Sequence, residues 1–553
     1  MQSFSCKHNC YYCPDEPGLP RSYLSEEPGV ARGKRHGWDA VDQFYARAWT
    51  YVMNGHPIDK VELLVLGGTW SEYPHGYQRE FLRDIYWAAN TFFDELPKRP
   101  AVSMEEEQQI NETARVRIIG LTLETRPDAI DDAELVRMRG YGCTRVQLGI
   151  QHTDDTILKK INRGCTTADS MYAIAALKDA GFKVDLHLMP DLPGSTPEND
   201  MTMFRRVLFD PDLQADQWKI YPCEVVPWTV IERWFKAGTY VPYTHEQLMA
   251  LLIDAKQLVH PWIRLNRVIR DIPNQYIMGG NQVTNLRQVL EKELHRIGKH
   301  CACIRCREVR DGDVSPAAAV LVEREFVSSR GVEVFLSYES PDRRTIHAFL
   351  RLRLSATAGA RGNGEYIHRE GAGRRGRRGK GRRKGQGKGR ERVAGRGRNE
   401  GEQGKEEDGE EGGEARWEEV EEVVANEMEE AAFSSPSLLA SPLFPELHGA
   451  AIVRELHVYG QMRRVGDRDG KKKKGDETQH VGFGRRLMHR AEVRVHVFED
   501  AHGCGVVSSV VYVYSLYYVS GASWFVIYLG GGVSKCGVAC VRVVHFVWWS
   551  GVQ

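Results

Sequence analysis

Between about residue 38 and residue 270 the chain alternates short apolar runs with helical patterns, and this alternation restricts the fold more than any other feature. Residues 61–66 (VELLVL) form an apolar run ending at Gly67-Gly68, followed by a helical stretch over 78–93. Residues 117–123 (RIIGLTL) read as the next strand, then a helix through 132–139. Residues 146–150 and 184–189 repeat the unit with a helix over 168–180 between them, and 218–221 closes the series. Strands separated by helices of this length pair in parallel, so the spacing predicts an α/β domain built as a partial or full β/α barrel. Such barrels gather their reactive groups at the carboxyl ends of the strands.

Cys6-Lys7-His8-Asn9-Cys10-Tyr11-Tyr12-Cys13 is a C-x3-C-x2-C array. Three thiolates so close together can hold three irons of a 4Fe-4S cubane and leave the fourth iron open. S-adenosylmethionine (SAM) can chelate that iron, and its reductive cleavage yields a 5′-deoxyadenosyl radical. Tyr12 is placed to pack against the adenine. The competing readings are buried packing cysteines, or a zinc knuckle in which His8 is the fourth ligand. Gly67, Gly68 and Thr69 follow the next strand, where a glycine pair lets the backbone approach a bound amino acid closely. Alone, such a pair is more often a turn.

Several stretches resemble the Elongator catalytic-subunit family: 61–69 (VELLVLGGT), 124–128 (ETRPD), 141–151 (YGCTRVQLGIQ), 162–164 (NRG), 179–184 (DAGFKV), 189–193 (MPDLP), 219–222 (KIYP) and 270–273 (RDIP). A further match, 454–460 (RELHVYG), falls in that family's acetyltransferase-like domain. The resemblance covers residues 3 to about 354 and 447 to 495. It implies a radical SAM barrel followed by a GNAT-like α/β domain. It also implies carboxymethylation of the wobble uridine of tRNA, with SAM and acetyl-CoA as cofactors and Elongator-type partner subunits. On it, Cys6, Cys10 and Cys13 hold the cluster and Lys60 contacts acetyl-CoA; on sequence alone Lys60 is a solvated strand-end lysine. Glu455, Leu456, His457, Val458, Phe483, Gly484 and Arg485 are implied to line the acetyl-CoA site. A cytoplasmic location, with the nucleus as a second, and a homodimer among the assembly states complete the expectation.

The residues support an acetyl-CoA half independently. Gln479-His480-Val481-Gly482-Phe483-Gly484 fits Gln/Arg-x-x-Gly-x-Gly/Ala, whose backbone N–H groups and helix amino terminus hold a pyrophosphate. It precedes a helix over 484–493 and follows a strand over 450–459. Residues 332–338 and 345–354 read as two strands joined by Ser340-Pro341-Asp342.

Cys301, Cys303 and Cys306 lie within six residues, which suits a structural zinc with His295 or His300 as fourth ligand. A surface loop with fortuitous cysteines is the bland alternative; Cys143, Cys165 and Cys223 read as packing residues. Clusters of this kind in a chain that opens without a secretory signal favour a reducing compartment over a disulfide framework. Arg126, Arg145, Arg163 and Lys219 are expected to rim the site, either pairing with RNA phosphates or the SAM carboxylate or forming structural salt bridges.

The charge balance of 75 basic and 75 acidic residues conceals a basic block over 374–398 and an acidic one over 400–430. Blocks like these repel themselves and cannot bury a core. Six units follow: a radical SAM barrel over 1–290, a zinc-binding linker over 291–313, the GNAT-like domain in two parts (314–355 and 441–497), a low-complexity disordered insert between them (356–440), and an atypical apolar tail (498–553). The uncharged run 502–534 is long enough to span a bilayer, but glycine and serine interrupt it and no membrane contact is expected. The chain departs from the family in that insert, in Lys471–Lys474 before the pyrophosphate motif, in lacking the usual tRNA-holding segment ahead of the barrel, and after about residue 495, where no counterpart of the final strands is evident. A protein lysine acetyltransferase and a non-catalytic RNA-binding assembly subunit remain as alternative functions.

Overall fold

The structure, a computed structural model, describes residues 6–19, 21–65, 68–270, 272–309, 316–329, 331–355, 357–359, 443–447, 450–459 and 482–502, with short strands between 509 and 545. Six parallel strands form the first sheet, in chain order: β1 (Lys60–Leu64), β2 (Arg117–Thr125), β3 (Arg145–Gln151), β4 (Lys183–Leu188), β5 (Gln217–Ile220) and β6 (Arg264–Arg267). Each pairs with its sequence neighbour, and among the described residues β1 and β6 do not pair, so the barrel is partial.

Strands β3 and β4 are almost wholly buried, as parallel strands covered by helices must be. The helices carry their own start signals: at Thr167–Asp179 the hydroxyl of Thr166 and the carboxylate of Asp169 form a reciprocal capping box. Strand β6 lies beyond the expected end of the series. Its sequence, RLNR, has no apolar run, and pairing with β5 holds it extended. Helices α1 (Pro28–Arg35), α2 (Ala40–Met53) and α3 (His75–Asn90) flank the β1 side.

The second sheet has antiparallel neighbours β7 (Val320–Ser328), β8 (Gly331–Glu339), β9 (Ile346–Ser355) and β10 (Ala450–Val458). On one face lies the helix Phe483–His502, whose Phe483, Leu487, Ala491 and Val495 fall four apart and pack on Leu336, Leu350, Leu352 and Val453. This helix runs across the boundary expected at 497. Beyond it, 509–512 and 516–517 pair in parallel with β10, so the tail contributes strands to the sheet, in keeping with its Val/Tyr-rich composition. The backbone N–H of Phe444 donates to the carbonyl of Gly359 at 3.0 Å, so residues far apart in the chain meet beside the sheet. The expected insert otherwise lies outside the described residues. No helix among them is long and apolar enough to cross a membrane.

The other face of this sheet meets the barrel through buried charges. Arg454 donates to Asp216 at 2.7 and 2.8 Å and to Glu333 at 2.7 Å. Arg353 pairs with Asp179 at 2.6 Å, and Glu455 pairs with Lys183 at 2.8 Å and Arg351 at 2.9 Å. Desolvating so many ions is costly, and only this dense mutual pairing offsets it. Burial alone would raise the Glu455 carboxyl, but Lys183 and Arg351 outweigh it and hold the group at about 2, below the usual 4.5. A depressed carboxylate stabilises the fold fully above the unfolded value and ceases to do so as the pH falls through the folded one. The contribution of these pairs to stability is therefore expected to be constant above about pH 4.5 and to fall steadily from there toward pH 2, with Glu333 and Asp216 adding to the loss. A calorimetric series across that range checks it.

Candidate active site

The cysteine loop is fastened at the carboxyl ends of the strands. Tyr11 N–H donates to Ile161 O at 2.9 Å, Val230 N–H donates to Tyr11 O at 3.0 Å, and the Asn162 amide reaches Asn9 O at 2.7 Å. Arg21 clamps the loop through Asn9 Oδ1 at 2.5 Å. Cys10 is buried, and its sulfur receives the guanidinium groups of Arg126 and Arg163, each at 3.6 Å. Arg126 is steadied by Asp128 at 2.8 Å, and Arg163 also donates to the carbonyl of Gly149. A Cβ at Gly149 would stand 2.7 Å from Gln151 Nε2 and 3.0 Å from Arg163 Nη2, so a side chain there would displace the ends of both. Cys6 Sγ lies 3.8 Å from Thr69 Oγ1. Gly68 adopts φ +77°, a conformation that favours glycine, with Ser22 against it. Gly67 lies outside the described residues. His8 Nε2 faces Glu72 at 3.4 Å, burial lowering its pKa, and neighbouring Lys7 pairs with the same carboxylate at 3.0 Å. Tyr12 packs on the apolar cluster around Ile157 and Leu158.

Within the barrel the strands present polar side chains at alternate positions: Glu124 on β2, Gln147 on β3, Asp185 and His187 on β4, Gln217 and Lys219 on β5. Lys219 Nζ donates to Gln147 Oε1 at 2.6 Å, and Asn266 donates to Asp185 at 2.9 Å. His187 Nδ1 lies 3.6 Å from Glu124 Oε1. Burial, reinforced by Lys219 and Arg163, keeps the imidazole well below its usual pKa and therefore neutral. Burial pushes the Glu124 and Asp185 carboxyls up. Four buried polar atoms here have no hydrogen-bond partner: Arg163 Nε, Gln151 Oε1, Asp185 Oδ1 and His187 Nε2. Polar atoms buried in this way are ones that a bound polar group or a water can satisfy. Of the lumen groups, Lys219 was expected from sequence. Glu124 and His187 were not, although isolated polar residues at period two in an otherwise apolar strand (VDLHL) are the signal that reveals them.

Arg145 does not rim this end. It opens β3 at the opposite, amino end, where it binds Glu62, Thr122 and Gln217. Lys60 likewise opens β1 and is half-buried, its pKa lowered by that burial. A cavity of about 690 Å³ runs along the whole of β1, from Lys60 to Gly68 and Glu124, walled by α2 residues such as Phe44 and Tyr51 and by Tyr73 and Tyr77.

On β10 the side chains alternate. Glu455 is engaged with the barrel and His457 lies on Phe349 with ring centroids 5.6 Å apart, while Leu456 and Val458 face the helix. The four therefore border two different faces, a consequence of the two-residue period. Burial brings the His457 pKa down to about 3. Phe483 opens the helix against Tyr338 at 4.5 Å, Gly484 is buried, and Arg485 and Gly482 are exposed. Gln479 lies outside the described residues. The ligand atoms of Cys301, Cys303 and Cys306 all lie within 4.8 Å of one another, and among the described residues this is the only such trio. Neither His295 nor His300 joins it; both are exposed, and the carboxylate nearest Cys306 is that of Glu291 at 3.8 Å.

The model of the radical SAM superfamily matches residues 3–206, and that of the radical SAM C-terminal domain matches 215–296. The tRNA uridine(34) acetyltransferase of Dehalococcoides mccartyi is 40% identical over 356 residues, covering 63% of this chain and 75% of that protein. The chain belongs to the tRNA uridine(34) acetyltransferase and Elongator complex protein 3 family. Human Elongator complex protein 3 is 30% identical over 510 residues, covering 91% of this chain and 76% of its own length. The solved structure of archaeal Methanocaldococcus infernus Elp3 with an N-terminal deletion aligns with a TM-score of 0.63 at 30% identity, over 87% of this chain and 91% of that one.

Membership of the radical SAM superfamily implies a 4Fe-4S cluster and SAM, and the donor set fits them. The sulfurs of Cys6, Cys10 and Cys13 are not drawn into a single-ion triangle like that of the second trio, as suits a cubane that gives each thiolate a separate iron. Burial, then its neighbour Cys10, pushes the Cys13 thiol up to about 12, a resistance to ionisation that bound iron would relieve. In this Elongator-type chain, Arg126 and Arg163 supply the donors that an anionic Cys10 sulfur accepts.

Proposed function

We propose that this chain installs a carboxymethyl group on carbon 5 of the wobble uridine of tRNA, drawing the carbon unit from acetyl-CoA. The observation that carries the reading is Cys10, held between two buried guanidinium groups at the carboxyl end of a partial barrel, in a chain 40% identical to a tRNA uridine(34) acetyltransferase. When bound, the cluster and SAM supply a 5′-deoxyadenosyl radical able to take hydrogen from the acetyl methyl group. Cys6, Cys10 and Cys13 would hold the cluster, with Gly67, Gly68 and Thr69 beside the SAM methionine. The lumen groups exclude bulk water and hold the uracil edge by hydrogen bonds.

Residues 314–355 and 441–497 form the acetyl-CoA half, with Gln479 to Arg485 at the pyrophosphate, the Glu455 to Val458 strand along the arm, and Lys60 in contact with acetyl-CoA. Cys301, Cys303 and Cys306 bind a structural zinc in the linker over 291–313. Residues 1–290 form the radical domain, and tRNA and Elongator-type subunits are the partners in the cytoplasm.

Anaerobic reconstitution tests this. Bound iron and sulfide, and 5′-deoxyadenosine formation that requires both acetyl-CoA and an anticodon stem-loop containing the uridine, are expected. Preparations that bind iron yet form 5′-deoxyadenosine equally well without acetyl-CoA would overturn the acetyl-CoA assignment.

A further inference from the structure

We propose that Glu124 is the general base of a thioester hydrolysis carried out inside the barrel, with His187 as the residue that positions its carboxylate. The inference rests on the acetyl-CoA reading above and deepens it. A methyl group presented to a radical is one bond from the thioester carbonyl carbon, so whatever holds the methyl in the lumen holds the carbonyl there too. The cavity along β1 leads from Lys60 to that point, and Glu124 stands on its wall with its side chain 22% exposed. Behind it, His187 is nearly sealed, its Nδ1 3.6 Å from Glu124 Oε1 and its Nε2 without a partner. A buried imidazole nitrogen without a partner is costly, and its place beside the carboxylate fits a polar group that arrives with the substrate.

The step balances without a redox partner. A water oxygen bonds to the carbonyl carbon, and its proton passes to Glu124. The carbon–sulfur bond breaks, and the thiolate takes the proton back, leaving a carboxylic acid and free coenzyme A. Burial pushes the Glu124 carboxyl up, which makes it a stronger base near neutral pH. Lys219, Arg270 and Arg163 oppose that rise, Asp185 supports it, and Tyr23, Tyr73 and Tyr221 also face the group.

The test uses the reconstituted full chain and a Glu124→Gln variant. With SAM, acetyl-CoA and the anticodon stem-loop, wild-type RNA should carry the acid. RNA modified by the variant should retain the coenzyme A thioester, raising the thioester-to-acid ratio by at least about 10²-fold. An unchanged ratio overturns the proposal. With SAM omitted, thiol release from acetyl-CoA should fall as the pH drops through a midpoint above the usual glutamate range. It should be lost in Glu124→Gln, and the midpoint should move in His187→Gln together with the infrared band of the Glu124 carboxyl. A flat profile, or equal release by Glu124→Gln, overturns the proposal whether or not radical chemistry occurs. Absence of 5′-deoxyadenosine in the wild type alone would instead count against the function proposed above.

Discussion

Replacing Cys10 by alanine is expected to bring reconstituted iron and 5′-deoxyadenosine formation to background, a fall on the order of 10⁴-fold or more. Two thiolates cannot retain a cubane that needs three, and no other cysteine lies on this loop among the described residues. The protein itself should survive. Arg126 keeps Asp128 and the carbonyl of Arg163, and Arg163 keeps the carbonyl of Gly149, so the loss of one sulfur costs the fold about 1–2 kcal/mol. Iron analysis beside a melting curve separates the two effects. A variant that melts normally and still turns brown would remove Cys10 from the cluster.

Arg454→Met is expected to destabilise the chain by about 3–5 kcal/mol. Arg454 is fully buried, and its guanidinium neutralises Asp216 from the barrel and Glu333 from its own sheet at once. Methionine fills much of the volume but leaves Glu333 to Arg353 at 3.3 Å and Lys178 at 3.6 Å, and Asp216 to Arg351 at 3.6 Å. Urea unfolding measures the loss, and a change below about 1 kcal/mol would mean that water reaches the cluster. Replacing the whole set by apolar residues of similar volume is a different experiment and can be neutral, because the desolvation cost disappears together with the attraction.

Much of the barrel is legible in the sequence because its strands are apolar and its helices begin at recognisable caps: β3 and β4 announce themselves, and so does the helix Thr167–Asp179. Strand β6 is not, since RLNR becomes a strand only when β5 stands beside it. The cysteine loop can be read from spacing alone, whereas its partners cannot. Arg126 and Arg163 come from the ends of different elements, 37 residues apart, and only the folded chain brings both to one sulfur. Arg145 and Lys60 show the converse, because each belongs to a motif beside the catalytic end yet opens its strand at the other. Glu455 illustrates a third limit: a segment can match a ligand-binding motif while one of its side chains is consumed by the seam between domains.

The hydrogen bond between Phe444 and Gly359 gives the second sheet a property that the intervening sequence obscures. Gly359 and Phe444 meet at one point, so β9 and β10 stand paired as if a tight turn joined them. The order of the sheet is therefore set by the pairing of β9 with β10 and not by the number of residues between them in the chain.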